Sequence, residues 1–115
     1  MATIIYKICP DTLWHEAEKA GRFDGAPIDL VDGFIHFSTA GQVRETAAKH
    51  FAGQANLLLV AVEAERLGAA LKWEVSRGGA LFPHLYATLD PSEVLWVKPL
   101  PLGGDGHHVF PADLA

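Results

Sequence analysis

The chain lacks several features that often reveal a function directly. It has one cysteine in 115 residues, so an internal disulfide is excluded and a reducing, cytoplasmic location is expected. Its longest apolar run, Leu57 to Val62, is far shorter than the ~20 residues of a membrane helix. The N-terminus has no basic region followed by a long apolar stretch, so no secretion signal is expected. We therefore expect neither a disulfide scaffold nor a membrane protein.

Positive charge is also scarce. Nine Lys and Arg are scattered singly among fourteen Asp and Glu, for a net charge of -5. A protein that binds nucleic acid through its phosphates needs clustered cations, so no nucleic-acid partner is expected. The glycine-rich dinucleotide fingerprint, the phosphate-binding loop and the Cys-x-x-Cys pair are missing too.

What the sequence does contain is a series of short strands and two helices. Its length predicts a single domain over residues 1–115, with a core at about 3–100 and a peripheral tail at 101–115. Helix start and stop signals favour helices within 10–21 and 40–53, and 21–33 is predicted to be a loop. Strands are predicted at 3–8, 34–38, 56–63, 71–76, within 80–89 and within 93–100. The order predicts an α+β fold, mostly antiparallel, with two helices packed on the sheet.

Three polar groups stand out on these strands. In "DGFIHFST" the alternation places His36 on one face with Phe34 and Ser38. In "LKWEVS" it predicts that Trp73 and Val75 face the core and that Glu74 lies on the opposite face.

The third stretch is "FPHLY", where His84 and Tyr86 share a face if the chain is extended. Each group has a structural interpretation: a bonded core histidine, a solvated carboxylate, a buried His–Tyr pair. One shared pocket would explain His36, Glu74 and His84 together, and this is the functional hypothesis.

The stretches "IYKI", "DGFIHFSTAGQV" and "WEVSRGGALFPHLYATL" resemble a small bacterial family, domain-of-unknown-function family 952. The resemblance spans about Tyr6 to Pro99. It implies a grouping with ADP-ribosyltransferase-like folds, in which split antiparallel sheets form a cleft for NAD. The implied activity is an ADP-ribosyl or glycosyl transfer or hydrolysis, by a transferase or an NAD glycohydrolase.

The resemblance also implies roles for particular residues. Glu74 takes the place of the catalytic carboxylate and His36 that of a second catalytic group. The implied ligand-binding residues are Lys7, Ser38, Thr39, His84 and Tyr86. Lys7 stands where the pattern often has histidine, and Ala87 where it has glycine.

Two alternatives from other classes stay open. One is a non-catalytic module that binds a small ligand, such as a nucleotide, in the same cleft. The other is a divalent-metal site made by His36, His84 and Glu74, two imidazoles and one carboxylate. The sequence has no short His-x-His spacing in favour of a metal, so no metal is expected in the site.

Overall fold

The structure is a computed structural model that describes residues 2–112 and 114. Its strands are β1 (Ile4–Pro10), β2 (Ile35–His36), β3 (Ser38–Thr39), β4 (Leu57–Glu63), β5 (Leu71–Val75), β6 (Leu81–Leu85) and β7 (Trp96–Leu100). Its α-helices are α1 (Asp11–Ala20), α2 (Pro27–Asp32) and α3 (Ala40–His50), and 3-10 turns occupy Ala64–Ala70, Arg77–Gly79 and Pro91–Glu93. No helix in the described part of the chain is long and apolar enough to cross a membrane.

The strands form two separate sheets. One has four strands in the order β3-β1-β4-β7, and the other has three in the order β2-β6-β5. Neighbouring strands are antiparallel in both sheets. The predicted α+β class with split antiparallel sheets is therefore confirmed.

The four-stranded sheet is covered on both faces, because apolar residues occupy both sets of alternate positions in β1 and β4. One face packs with α1 and the inner face of the second sheet, in a cluster that includes Ile5, Trp14, Ile35, Phe37, Val60 and Leu85. The other face packs with α3 and the C-terminal segment, in a cluster that includes Tyr6, Ile8, Val43, Leu59 and Leu100. Phe110 and Leu114, from the segment predicted to be peripheral, pack against this second cluster.

The segment from Asp32 to Thr39 passes from one sheet to the other. Within it, His36 pairs with His84 in the three-stranded sheet, whereas Ser38 pairs with Tyr6 in the four-stranded sheet. Between them the Phe37 amide donates to the Pro83 carbonyl at 3.0 Å. The predicted single strand at 34–38 is thus two short strands, and both sheets contribute to the site described below.

Two helices were predicted, and this number is wrong. A third helix, α2, lies in the segment predicted to be a loop. Pro27 opens it, the Ala26 amide donates to Asp29 Oδ2 at 2.7 Å, and Gly33 ends it with a φ of 85°. Its six residues are too few to show a helical period in the sequence.

The predicted burial of Trp73 and Val75 on β5 is also wrong. Trp73 is 42% exposed and Val75 is 71% exposed. Their face is still the inner one, because Leu71 on the same face pairs with the buried Leu85 and packs against the core. Trp73 and Val75 are exposed because β5 is an outer strand and the core does not extend beneath them.

A substitution at Gly25 tests how closely the chain before α2 packs against Asp29. Its φ is +119°, and an added Cβ would lie 2.7 Å from Asp29 Cβ. We expect Gly25→Ala to lower the free energy of unfolding by about 1–3 kcal/mol, measured by urea denaturation. Gly53→Ala is the control, because Gly53 also has a positive φ (+74°) but has nothing within 4 Å of an added Cβ. Equal losses in the two variants would show that contact with Asp29 is unimportant.

Candidate functional site

A cleft of about 500 Å³ opens between the two sheets, a volume typical of small-molecule sites. It lies beside β1, next to the short stretch where β3 pairs with Ile5 and Tyr6. Both sheets, α2 and α3 contribute side chains to its wall. The lining residues are Tyr6, Lys7, Ile8, Ile28, Asp32, His36, Phe37, Ser38, Thr46, His50, Phe51 and Ser76.

Asp29, whose side chain is fully buried, lies behind the wall of this cleft. Its Oδ2 accepts from Lys7 Nζ at 2.7 Å and from the Ala26 amide at 2.7 Å. Its Oδ1 contacts His36 Nδ1 at 2.6 Å and accepts from the His36 amide at 3.1 Å. One carboxylate therefore ties β1, the start of α2 and β2 together.

The pKa of Asp29 follows from these contacts. Burial acts to raise the pKa, but the hydrogen bond from His36 and the charge of Lys7, helped by the Ala26 amide, outweigh it and lower the pKa to about 2. Asp29 is consequently ionised at neutral pH, and the buried Lys7 ammonium has its counter-charge.

His36 lies between two carboxylates. Its Nδ1 meets Asp29, and its Nε2 lies 2.9 Å from Asp32 Oδ2, on the cleft side. Both contacts are hydrogen bonds to ionised carboxylates only when the ring carries a hydrogen on each nitrogen. The ring is thus fixed by a buried partner on one nitrogen and offers the other to a partner that is 40% exposed.

Hydroxyl groups cover the adjoining part of the wall. Ser38 Oγ and Thr46 Oγ1 are 2.9 Å apart, and Thr46 Oγ1 also donates to the Gln42 carbonyl at 3.2 Å. Thr39 is not among the lining residues and is instead the N-cap residue of α3, where its amide donates to Gln42 Oε1 at 3.0 Å. The Gln42 side chain then donates to the Leu81 carbonyl at 2.7 Å, which links α3 to the second sheet.

Glu74, His84 and Tyr86 form a second cluster, outside the lining of this cleft. Glu74 Oε1 lies 2.8 Å from His84 Nδ1 and accepts from the Tyr86 hydroxyl at 2.7 Å. These hydrogen bonds, that of Tyr86 first, lower the pKa of Glu74, and the same bond raises the pKa of Tyr86. His84 is almost completely buried, whereas the Glu74 side chain is 38% exposed.

Phe34 connects the cluster to His36. Its ring stacks on His84 with centroids 4.1 Å apart and contacts His36 at 4.6 Å and Tyr86 at 5.2 Å. The two imidazole centroids are 5.4 Å apart. The face of the second sheet thus carries two neighbouring histidine–carboxylate pairs.

The structure brings the predicted residues together only in part. Lys7, His36 and Ser38 meet at the cleft, and Glu74, His84 and Tyr86 meet beside it. Among the described residues, no group of three or more His, Cys, Asp or Glu side chains could hold a metal ion. The alternative of a metal held by His36, His84 and Glu74 therefore gains no support.

Sequence reasoning missed Asp29 and Asp32, because their segment was predicted to be a loop. The signal that could have found them is "APIDLVDG", in which a proline opens and a glycine closes one short helix with two aspartates inside. The seven-residue interval from Asp29 to His36 has no regular period, so their contact depends on the turn at Gly33.

The sequence and the fold were compared with known proteins. A family described as "Protein of unknown function (DUF952)" matches residues 8–97. No curated protein matches the chain.

Protein CC0527 from Caulobacter crescentus has a similar solved structure. Its crystal structure superposes on this chain with a TM-score of 0.90, and the two sequences are 57% identical. The match covers 93% of this chain and 94% of that one. Its solution NMR structure is 58% identical with a TM-score of 0.83, covering 90% of each chain. Both are described as structural genomics targets, and their descriptions give no activity.

A double-mutant cycle tests the buried ion pair. We expect Lys7→Met and Asp29→Asn each to lower the free energy of unfolding by about 3–5 kcal/mol, because each removes one charge of a buried ion pair. The loss of unfolding free energy in the double variant should be much smaller than the sum of the losses in the two single variants. Arg22 and Asp24 provide the control, since their contact is also 2.7 Å but lies on the surface, where removal costs less than about 1 kcal/mol. Additive losses at Lys7 and Asp29, measured in urea, would contradict the pairing.

The Asp29 pKa predicts a loss of stability in acid. An unfolded aspartate titrates near pH 3.9, and Asp29 in the folded chain titrates at about 2. Its contribution, roughly 2–3 kcal/mol, is complete above the unfolded value and is lost as pH falls toward the folded one. The unfolding free energy of Asp29→Asn should therefore fall less steeply than that of the wild type between about pH 4 and pH 2. Parallel curves would rule out this assignment.

Proposed function

The chain belongs to the DUF952 family, and for this member we propose that the cleft between the two sheets binds a small, hydroxyl-rich ligand of the ribose or nucleoside class. One observation carries the proposal. His36, oriented by the buried Asp29, turns its Nε2 toward Asp32 at the wall of a cleft of about 500 Å³. A few positioned polar groups in a mainly apolar cavity are typical of a small-molecule site.

The charges at the cleft favour hydroxyl groups over a bare phosphate. The positive charge of Lys7 is matched by Asp29, and Asp32 adds a further carboxylate. A carboxylate accepts hydrogen bonds from sugar hydroxyls but repels an anion. Ser38 and Ser76 add hydroxyls to the wall, and Phe51 adds an aromatic side chain that can cover a flat ring.

The same geometry supports a proton-transfer role for His36. Its Nδ1 is held by Asp29, so the ring keeps one orientation while Nε2 exchanges its proton with Asp32 or with a bound hydroxyl. General acid–base catalysis by histidine needs this combination of fixed orientation and accessible second nitrogen. His36 is thus the group on which a reaction in the cleft would depend.

NAD is the second candidate, and the ionised Glu74 favours it. The Tyr86 and His84 hydrogen bonds hold this carboxylate in place and lower its pKa. In an ADP-ribosyltransferase-like reaction such a carboxylate stabilises the ribose cation as nicotinamide leaves. That role requires NAD to extend from the cleft past His36 to Glu74, because Glu74 is not among the residues lining the cleft.

Ligand binding can be tested with adenosine, ribose 5-phosphate, ADP-ribose and NAD. We expect one or more of them to raise the melting temperature and to bind in calorimetric titrations. His36→Asn should weaken that binding by roughly tenfold or more, as loss of a charge-assisted hydrogen bond does. Tyr86→Phe is the control for adenosine and ribose 5-phosphate, because it removes a hydroxyl outside the cleft lining.

The outcomes separate the candidates. Binding without turnover, weakened only by His36→Asn, supports the ribose or nucleoside cleft. Release of nicotinamide from NAD that stops in Glu74→Gln supports the transferase or glycohydrolase chemistry. No binding of any of the four compounds, or equal weakening of adenosine and ribose 5-phosphate binding by both variants, refutes the proposal.

A further inference from the structure

β5 is an outer strand whose surface is unusually apolar. It pairs with β6 alone among the described strands. Trp73 and Val75 are exposed, and so is Leu81 of β6, which pairs with Val75. Outer strands are normally protected by proline or by inward charges, because their free edge can pair with another strand.

The backbone of β5 shows which groups face that edge. The Tyr86 amide donates to the Ala70 carbonyl at 2.8 Å, and the Ser76 amide donates to the Ala80 carbonyl at 2.9 Å. Even-numbered residues therefore bond to β6, and antiparallel alternation turns the amides and carbonyls of Leu71, Trp73 and Val75 outward. The Leu71 amide already donates to the Gly68 carbonyl, so the Leu71 carbonyl and both backbone groups of Trp73 and Val75 are open to one further antiparallel strand.

We propose that this edge pairs with β5 of a second copy of the chain, antiparallel and with the two-fold axis at Trp73. The sequence "LKWEV" is self-complementary about its centre. Trp73 meets its own equivalent and Leu71 meets Val75, while Lys72 meets Glu74 of the other copy. Both Lys72–Glu74 pairs are attractive. Because the Leu71 amides are already bonded to Gly68, the outward groups supply about four backbone hydrogen bonds.

The charges select a second copy over an unrelated strand. In this register the positive and negative side chains fall opposite one another twice, which chance placement of a foreign strand does not provide. One outer strand of the other sheet, β7, contains Pro99, which has no amide to donate. Of these two edges β5 is the one suited to pairing.

Pairing would join the two three-stranded sheets into one sheet of six. The Glu74–His84–Tyr86 clusters of the two copies then lie on the same face, because Lys72 and Glu74 share that face with His84. A contact between two strands of five residues is at the small end of protein interfaces. We therefore expect a reversible dimer with a dissociation constant in the micromolar range.

Sedimentation over a micromolar to millimolar concentration series tests the dimer. Lys72→Glu should weaken it roughly tenfold, because two attractive pairs become repulsive. Glu74→Lys should do the same, while an equimolar mixture of the two variants restores both attractions and associates like the wild type. Val31→Lys is the control, since Val31 is 80% exposed on α2, away from the edge. A wild type that stays monomeric, or a mixture no tighter than the single variants, overturns the proposal.

A disulfide trap tests the register independently, should Glu74→Lys fail to fold. Hydrogen-bonded antiparallel partners have Cα atoms about 5.5 Å apart, within disulfide range, so Trp73→Cys should form a covalent dimer on mild oxidation. Two copies of Val75→Cys would place their thiols about 13 Å apart and should not cross-link. The single natural cysteine, Cys9, is buried, and that burial raises its pKa to about 12. We therefore expect little background cross-linking through Cys9. Equal cross-linking at both positions overturns the register.

Discussion

The buried carboxylate of Asp29 is the contact on which the geometry of the cleft depends. A carboxylate removed from water is costly unless it is paired and hydrogen-bonded. Asp29 meets that condition only when Lys7 on β1, the Ala26 amide at the start of α2 and His36 on β2 all reach it. The requirement fixes three elements that are distant in sequence. It also fixes which nitrogen of His36 is left to face the cleft.

The chain passes from one sheet to the other between His36 and Ser38, next to the contacts of Asp29. His36 pairs with β6 and Ser38 pairs with β1, so the short stretch "DGFIHFST" belongs to both sheets. Its apolar residues, Ile35 and Phe37, are buried in the core between the sheets. Its polar residues are left at the junction, where the gap between the sheets forms the cleft. A histidine and a hydroxyl inside an apolar stretch thus mark the place where the chain crosses from one sheet to the other.

The sequence predicted the parts of the fold that depend on local pattern. The strand at 57–63 is a continuous apolar run, and the helices after Pro10 and Thr39 begin and end at recognisable signals, so all three were found. The short helix α2 was missed because it has no period to detect. The predicted burial of Trp73 and Val75 was wrong because alternation identifies the inner face of a strand but not how far the core extends beneath an outer strand. The contacts of Asp29 could not be predicted, because they depend on how α2 is oriented after Gly25 and before Gly33.

The two histidine–carboxylate pairs lie side by side, yet their surroundings separate their roles. His84 is almost wholly buried, stacked on Phe34 and bonded to Glu74, so its contacts are with the protein. His36 has a comparable buried partner in Asp29, but its second nitrogen meets the half-exposed Asp32 at the cleft. The buried His84 ring is part of the packing of its sheet, whereas the partly exposed His36 ring keeps a nitrogen that a ligand can reach. Because Phe34 contacts both rings, the two pairs form one packed surface that leads from the Glu74–His84 contact to the cleft.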